Sequence, residues 1–406
     1  MASSDWAQYA LKFGDYYRSA ELWNPPRIRM REWMLAPFGN NKPLRHKSFN
    51  SVNNLREFLV NRTPASVFYS TAYWDDPNQL KMSDKGWKGA DLIFDLDGDH
   101  LPHINPFNFP EMLDIIREYA WNLWNEFLEP DFGFDEKYLQ VTFSGHRGFH
   151  LHYRDPNIFH LDSSARRELV NHIRGNSVDV DKAKNDQGWV EANGWPKRVV
   201  EGCKNLIRKI EFINNNDGTE EANKLIQSLL ESLGGKYTLK NNKPNKVFND
   251  MIHKFKQKGV KEQVLTGKFH RLGSGKLQPI QDAFEELIKA DQSIILSKSG
   301  ETDDPVTVDV RRVIRYPTSL HGKSGLRVTE FPLSRLDPDN NNKFDPLNEA
   351  VVFGKGKTVK LEITIDEGNI RIRDQEYELE RGRIIEVYED VASFLILKNW
   401  AKISRD

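Results

Sequence analysis

The sequence predicts an α+β fold: a mixed β-sheet core with helices, assembled from both ends of the chain and interrupted by a mostly helical insertion. Three observations carry this reading. Short β-rich runs such as LIFDLD (92–97) and GFHLHY (148–153) alternate with amphipathic helical patterns up to residue 160. Between 161 and 262 the texture becomes polar and charged, with helical stretches joined by Asn/Gly loops. Strand character then returns, so the core is expected over 1–160 and 263–406, with 161–262 as the insertion.

Residues 5–22 place Trp6, Tyr9, Phe13, Tyr16 and Tyr17 near helical spacing, and Pro25 and Pro26 end that helix. RIRMREWMLAPFG (27–39) reads as extended, followed by turn residues and the LRHKSF segment (44–49). A second helix over 52–62 and a strand, SVFYSTAYW (66–74), follow. ADLIFDLD (90–97) is the strongest strand of the first half: short, apolar and β-rich at its centre. Residues 109–128 form a helix with Met112, Ile116, Tyr119, Leu123 and Phe127 down one side. KYLQVTFSGHRGFHLHYRD (137–155) reads as a hairpin, with Phe149, Leu151 and Tyr153 on one face and His150 and His152 on the other. ARRELVNHIR (165–174) and EEANKLIQSLLESL (220–233) are helices of the insertion. DPVTVDVRRVIRYPTSLHGKSGLRV (304–328) reads as strand-rich, KTVKLEITI and NIRIRDQEYEL as strands, and EDVASFLILKNWAKI (389–403) as a closing amphipathic helix.

Composition narrows the function. The 406 residues suffice for roughly two or three domain-sized units. Lys and Arg total 58 against 59 Asp and Glu, a net charge of −1, which excludes a protein that coats nucleic acid through a general basic excess. Contacts to nucleic acid must then come from local patches. Cys203 is the single cysteine, so an intrachain disulfide is impossible and a thiolate zinc site is not expected. The first residues lack the apolar core of a signal peptide, and no stretch approaches the ~18 apolar residues that span a bilayer. The expectation is a soluble cytoplasmic protein without membrane association.

The acidic run DLDGD (95–99) admits several chemistries. A calcium loop needs Gly at its sixth position and Glu at its twelfth; counted from Asp95 these are His100 and Pro106, and a strand leads in. A haloacid dehalogenase phosphatase needs Asp-x-Asp-Gly-Thr; DLDG fits, but Asp99 stands in place of Thr. A two-metal nucleotidyltransferase needs carboxylates on one face of a strand. Asp95 and Asp97, two residues apart, provide them, with Asp309 in TVDV placed to supply a third.

Two basic stretches favour the third chemistry. SGHRGFH (144–150) is a Gly-containing turn between strands, of the kind that aims backbone N–H groups at a phosphate. Ser144 adds a hydroxyl, Arg147 a planar fork and His150 a ring donor. RYPTSLHGKSG (315–325) brings Arg315, His321 and Lys323 shortly after Asp309. Metal-holding acids together with phosphate-holding bases make a nucleoside triphosphate the natural ligand.

With these stretches in place, the chain resembles the catalytic small subunit of archaeal and eukaryotic DNA primases. The similarity runs from YYR (16–18) through PPRIRMREW, LRHKSF, KGWKGADLIFDLDGDHLP, SGHRGFH and VDVRRVIRYPTSLHGKSG to FLILKNWA, with wording closer to the archaeal form. It implies the archaeo-eukaryotic primase fold and template-directed synthesis of short RNA primers for replication, with deoxynucleotide incorporation an open alternative. It further implies Asp95, Asp97 and Asp309 as ligands of two Mg2+ or Mn2+ ions, with Asp99 outside the set. Ser144, His146, Arg147, Gly148, His150, Arg315 and His321 match the triphosphate-binding positions. His146 departs from the second arginine of many relatives, and Arg315 takes a place often held by lysine. Arg45 and Glu32 correspond to residues near the nucleotide and the active centre. The implied partners are single-stranded DNA template, a primer strand, NTPs or dNTPs, and a primase large subunit, within the replication machinery at the nucleoid. Many relatives carry a zinc knuckle between the first acidic motif and the SGxRG turn. This chain has no Cys there, and His100 and His103 alone do not close a tetrahedral site, so no structural zinc is expected, and the 109–128 helix is expected to pack in that place.

The polymerase domain of end-joining ligases shares the implied fold, but the long insertion and RYPTSLHGKSG favour a primase. A phosphatase, or a single-strand-binding subunit with a decayed site, are the competing classes, and a template-dependent incorporation assay separates them.

Overall fold

The computed structural model describes residues 3–39, 42–98, 105–176, 179–185, 187–190, 194–233, 246–273, 275–292 and 304–404. The chain divides into two compact units, one of residues 1–124, 134–170 and 299–406, the other of 125–133 and 171–298.

The first unit is α+β. Helix α1 (Ser3–Ser19) buries Tyr9, Phe13 and Tyr17 at helical spacing. The stretch expected to be extended from residue 27 instead begins with a single 3-10 turn, Ile28–Met30, because Arg27 takes a left-handed conformation (φ 53°). Strands β1 (Trp33–Ala36) and β2 (Leu44–Lys47) follow, then helix α2 (Val52–Arg62). Ser51 starts α2 by accepting the Asn54 N–H on its hydroxyl.

The run 66–74 is not one strand. It breaks at Thr71 into β3 (Ser66–Ser70) and β4 (Ala72–Trp74), where the buried Arg31 guanidinium takes the carbonyls of Ser70 and Thr71. β4 pairs with β5 (Trp87–Ala90), and β6 (Leu92–Asp97) follows. Helix α3 (Phe109–Leu123) ends earlier than its apolar stripe suggests and continues as a wider π turn through Trp124–Leu128. α3 packs against β6 and β8. Strands β7 (Leu139–Phe143) and β8 (Gly148–Tyr153) form the expected hairpin.

The segment around TVDV corrects the sequence reading. Asp304–Val308 is a helical turn, α4, and strand structure begins only at β9 (Val313–Arg315). Val-Thr-Val has strand character, but Pro305 suits the first turn of a helix. The Asp309 N–H then closes the turn on Pro305 O, and the Thr307 hydroxyl anchors it to Ile93 O at 2.7 Å. Strand β10 (Thr329–Phe331) completes the core.

These strands make two four-stranded sheets, ordered β9-β3-β1-β2 and β10-β7-β8-β6. Every pairing in them is antiparallel, so the mixed sheet expected from the sequence is replaced by two antiparallel ones. For β7 and β8 the reason is local: the tight turn between these neighbours leaves only the antiparallel arrangement.

Beyond the core, strands 358–363, 384–388 and 401–403 form a three-stranded sheet, and 367–372 pairs with 375–380. The closing helix, α5 (Glu389–Leu397), is buried on every side from Asp390 onward rather than amphipathic, and the chain then turns at Asn399 (φ 59°) into a short strand. Among the described residues no helix is long and apolar enough to cross a membrane.

The second unit is mostly helical, with one short antiparallel pair of Lys184–Asn185 and Gly188–Trp189. Trp195–Asn215, Lys246–Lys254 and Gln278–Gln292 pack together around Ile207, Ile210, Phe248 and Phe284. This unit runs on past the 161–262 stretch read from composition and includes the helix Gln278–Gln292, while residues 161–170 group with the core. Cys203 lies in this apolar core, and burial pushes its thiol up to about 12.

Candidate functional site

β6 and β8 run antiparallel with Asp95 opposite His150 and Asp97 opposite Gly148. Leu96 points the other way into the core, so both carboxylates reach the same side of the sheet. His150 Nε2 stands 3.3 Å from Asp95 Oδ1. The absence of a side chain at residue 148 is required by the packing, since a Cβ there would lie 2.3 Å from Leu96 O.

The base of β6 is held by a buried charge network. Asp91 receives Arg31 Nη2 at 2.9 Å, Arg154 Nε at 3.1 Å and the Tyr73 hydroxyl at 2.8 Å. Arg166 donates to the carbonyls of Asp91 and Ala90. Burial alone would raise the Asp91 carboxyl, but Arg31 and Arg154 hold it below its ordinary value. This network fixes where β6 begins and hence which residues face the site.

The 144–148 turn is closed by its serine. The Ser144 N–H donates to Gly148 O, and Ser144 Oγ accepts the N–H groups of Gly148 (3.1 Å) and His146 (3.4 Å). Those two N–H groups are thus used inside the turn rather than aimed outward, and what Ser144 offers to a ligand is its own O–H. The 316–325 turn is seated by α1: the Tyr16 hydroxyl donates to Thr318 O, and Tyr17 accepts the Leu320 N–H. The two turns are stitched by Ser324, whose hydroxyl donates to Gly145 O, and by the rings of His146 and His321, stacked 4.7 Å apart at 10°. Gly145 permits this approach: its φ is +83°, and a Cβ would meet His321 Cβ at 2.9 Å.

A cavity of about 210 Å3 results, lined by Asp95, Asp97, Ser144, His146, Arg147, His150, Arg315, His321 and Lys323. Nearly all of the sequence-predicted acids and bases are therefore brought together. Asp97 keeps access to solvent, yet the surrounding walls and then the charge of Asp95 raise its carboxyl above the ordinary value. Arg315 lies over the Phe68 ring at 4.5 Å, and burial lowers its guanidinium to about 10. Burial also holds His146 and His321 well below the usual histidine value, with Lys398 and Arg315 adding to the effect. His150 Nδ1 and Arg315 Nη1, on two residues of the cavity wall, are buried without a hydrogen-bond partner.

Three predicted residues stand elsewhere. Asp309 is half-buried just past α4; its Oδ1 accepts the Arg311 N–H, and it does not line the cavity, although Val306, Arg312 and Val313 on either side of it do. Glu32 is buried with Arg45 Nη2 at 3.2 Å, His46 Nδ1 at 3.3 Å and Lys85 Nζ at 3.5 Å, and neither Glu32 nor Arg45 is on the cavity wall. Asp99, His100 and His103 lie outside the described residues. Sequence reasoning missed Phe68, whose place became visible only through its pairing with Arg315 on β9, and Lys398, 252 positions from the histidine it touches.

Two carboxylates on one face of β6 are hard oxygen donors of the kind that suits a divalent cation. Among the described residues no cluster of three or more His, Cys, Asp or Glu is arranged to hold a metal by itself.

Comparison with known proteins gives a consistent picture. The family model described as DNA primase small subunit matches residues 94–333. The chain is 33% identical to the DNA primase small subunit PriS of Methanothrix thermoacetophila, covering 97% of each chain. It is 34% identical to that of Methanosarcina acetivorans, over 96% of this chain and 95% of the other. Against the Halorubrum lacusprofundi protein the figures are 32%, 92% and 91%.

Proposed function

The chain belongs to the DNA primase small-subunit family, and from that premise we propose that it is the catalytic subunit of a primase, joining nucleotides on a single-stranded DNA template to make short RNA primers. The observation that carries this reading is the meeting in one cavity of Asp95 and Asp97 with Arg147, Arg315, His150, His321 and Lys323.

Asp95 and Asp97 would hold Mg2+ or Mn2+, and we assign Asp309, carried just past the turn that Thr307 anchors to β6, as the third carboxylate of the set. When bound there, the divalent ions supply activation of the attacking 3′-hydroxyl and neutralise charge on the leaving pyrophosphate. The remaining work belongs to the side chains. Arg147, Arg315 and Lys323 draw in the triphosphate, while the Ser144 hydroxyl and the His150 and His321 rings fix its direction. The His321 tautomer is set for this: its Nδ1 accepts the Lys323 N–H at 3.1 Å, leaving Nε2–H as the donor. Arg45, held against Glu32, is assigned to the approach of the nucleotide rather than to the triphosphate cavity.

The near-neutral net charge favours weak grip on the template by this chain alone, which suits a primase large subunit as partner at the replication machinery. The test is incorporation of labelled ATP, and separately dATP, on a single-stranded template with and without a primer. Release of phosphate from monoesters without template dependence would instead support the phosphatase class.

A further inference from the structure

Lys398 follows the last residue of α5, far in sequence from the acidic and basic motifs that line the cavity. Its Nζ lies 3.1 Å from His146 Nε2 and over the faces of Phe109 (4.0 Å to the centroid), Trp400 (4.5 Å) and Phe394 (5.6 Å). Three rings around one ammonium form an aromatic cage, which offsets part of the cost of taking that charge out of water. An ammonium has donors only, so His146 Nε2 must be the acceptor, and the ring carries its hydrogen on Nδ1. His146 is in turn stacked on His321 and lines the cavity, whereas Lys398 does not.

We propose that Lys398 is a positioning residue of the triphosphate cavity: by donating to His146 Nε2 it fixes the tautomer and plane of His146, and through the stacked pair the direction in which His321 presents Nε2–H. This rests on the cavity being a triphosphate site. Lys398 also adds positive charge behind a wall that already carries Arg147, Arg315 and Lys323, with Asp97 as the opposing acid within its field. Burial, and then Arg147, pull its ammonium well below the ordinary lysine value, so a polyanionic ligand stabilises the charged form that makes the contact. The C-terminal segment thereby becomes part of the nucleotide site: Phe394, Lys398 and Trp400 reach it through Phe109 at the start of α3.

The test uses the full chain with ATP and Mg2+. Lys398→Met keeps the length and apolar contacts of the side chain but cannot donate, and is expected to weaken ATP binding and raise its KM about tenfold while kcat changes less than about threefold. Lys398→Arg, which restores a donor over the rings, is expected to recover most of the loss. In a His146→Asn background, Lys398→Met is expected to add nothing further, because both act through one contact. Nitrogen NMR of histidine-labelled unmodified chain with ATP bound is expected to show Nδ1–H on His146 and Nε2–H on His321, a readout that needs no variant to fold. Unchanged ATP affinity in a folded Lys398→Met protein, additive losses in the double variant, or an Nε2–H tautomer on His146 would each overturn the proposal. Failure of the unmodified chain to bind ATP would overturn the triphosphate reading itself.

Discussion

His150 and Asp95 face each other across one rung of the β6–β8 pair, with Nε2 3.3 Å from Oδ1 and the other ring nitrogen buried without a partner. One end of the imidazole thus touches Asp95, an acid proposed to hold the metal, and the other end meets no partner in the protein. Replacing His150 with Ala removes both ring nitrogens. The expected result is a rise in nucleotide KM of roughly 10- to 100-fold, the range set by one hydrogen bond to a charged group, in steady-state primer extension.

Gly148 stands opposite Asp97 with no room for a methyl group, since the obstruction at 2.3 Å is the carbonyl of Leu96 rather than a movable side chain. Gly148→Ala is expected to force β8 from β6, destabilising the chain by about 2–4 kcal/mol and lowering activity with it. Urea unfolding followed by circular dichroism measures the first effect, and an unchanged midpoint would contradict the close packing.

The Asp91 network makes a separate claim on stability. Asp91→Asn leaves Arg31 and Arg154 buried without their counter-charge, and is expected to cost about 3–5 kcal/mol in the same assay. The folded carboxyl is held below its unfolded value, so the ionised form contributes stability above about pH 4. That contribution is lost as pH falls through the folded value.

Histidines set the dependence at higher pH. Burial, named first among the causes, holds His146, His152 and His321 well below their ordinary value. Below about pH 6.5 the unfolded chain takes up protons at these sites and the folded chain does not, so stability falls with falling pH. Each group contributes a slope of about 1.4 kcal/mol per pH unit. Unfolding midpoints between pH 7 and 5 are expected to drop steeply, and His152→Asn, whose side chain does not line the cavity of Asp95 and Asp97, is expected to make the drop shallower.

Much of the site was legible in sequence because its chemistry is local. Asp95 and Asp97 share a strand face by the two-residue period alone, and the SGHRG turn declares itself through its glycines. What escaped depends on pairing at long range. TVDV reads as a strand until Pro305 and the Thr307 hydroxyl curl it into α4 beside β6. SVFYSTAYW reads as one strand until Arg31, forty residues earlier, takes the Thr71 carbonyl. Arg45 pairs with a glutamate that β1 buries, and Lys398 meets His146 only after α5 has docked. Propensity and periodicity describe a segment by itself; none of these partners lies within its segment.

The direct measurement is template-dependent incorporation of labelled nucleotide by Asp95→Ala, Asp97→Ala double-variant protein, run beside its unfolding curve. The Asp97 carboxyl is raised in the folded state, so its ionised form costs the fold stability, and the double variant is expected to remain folded. Incorporation is expected to fall to background at every Mg2+ or Mn2+ concentration. Incorporation at the unmodified rate by that folded protein would contradict nucleotidyl transfer at this site.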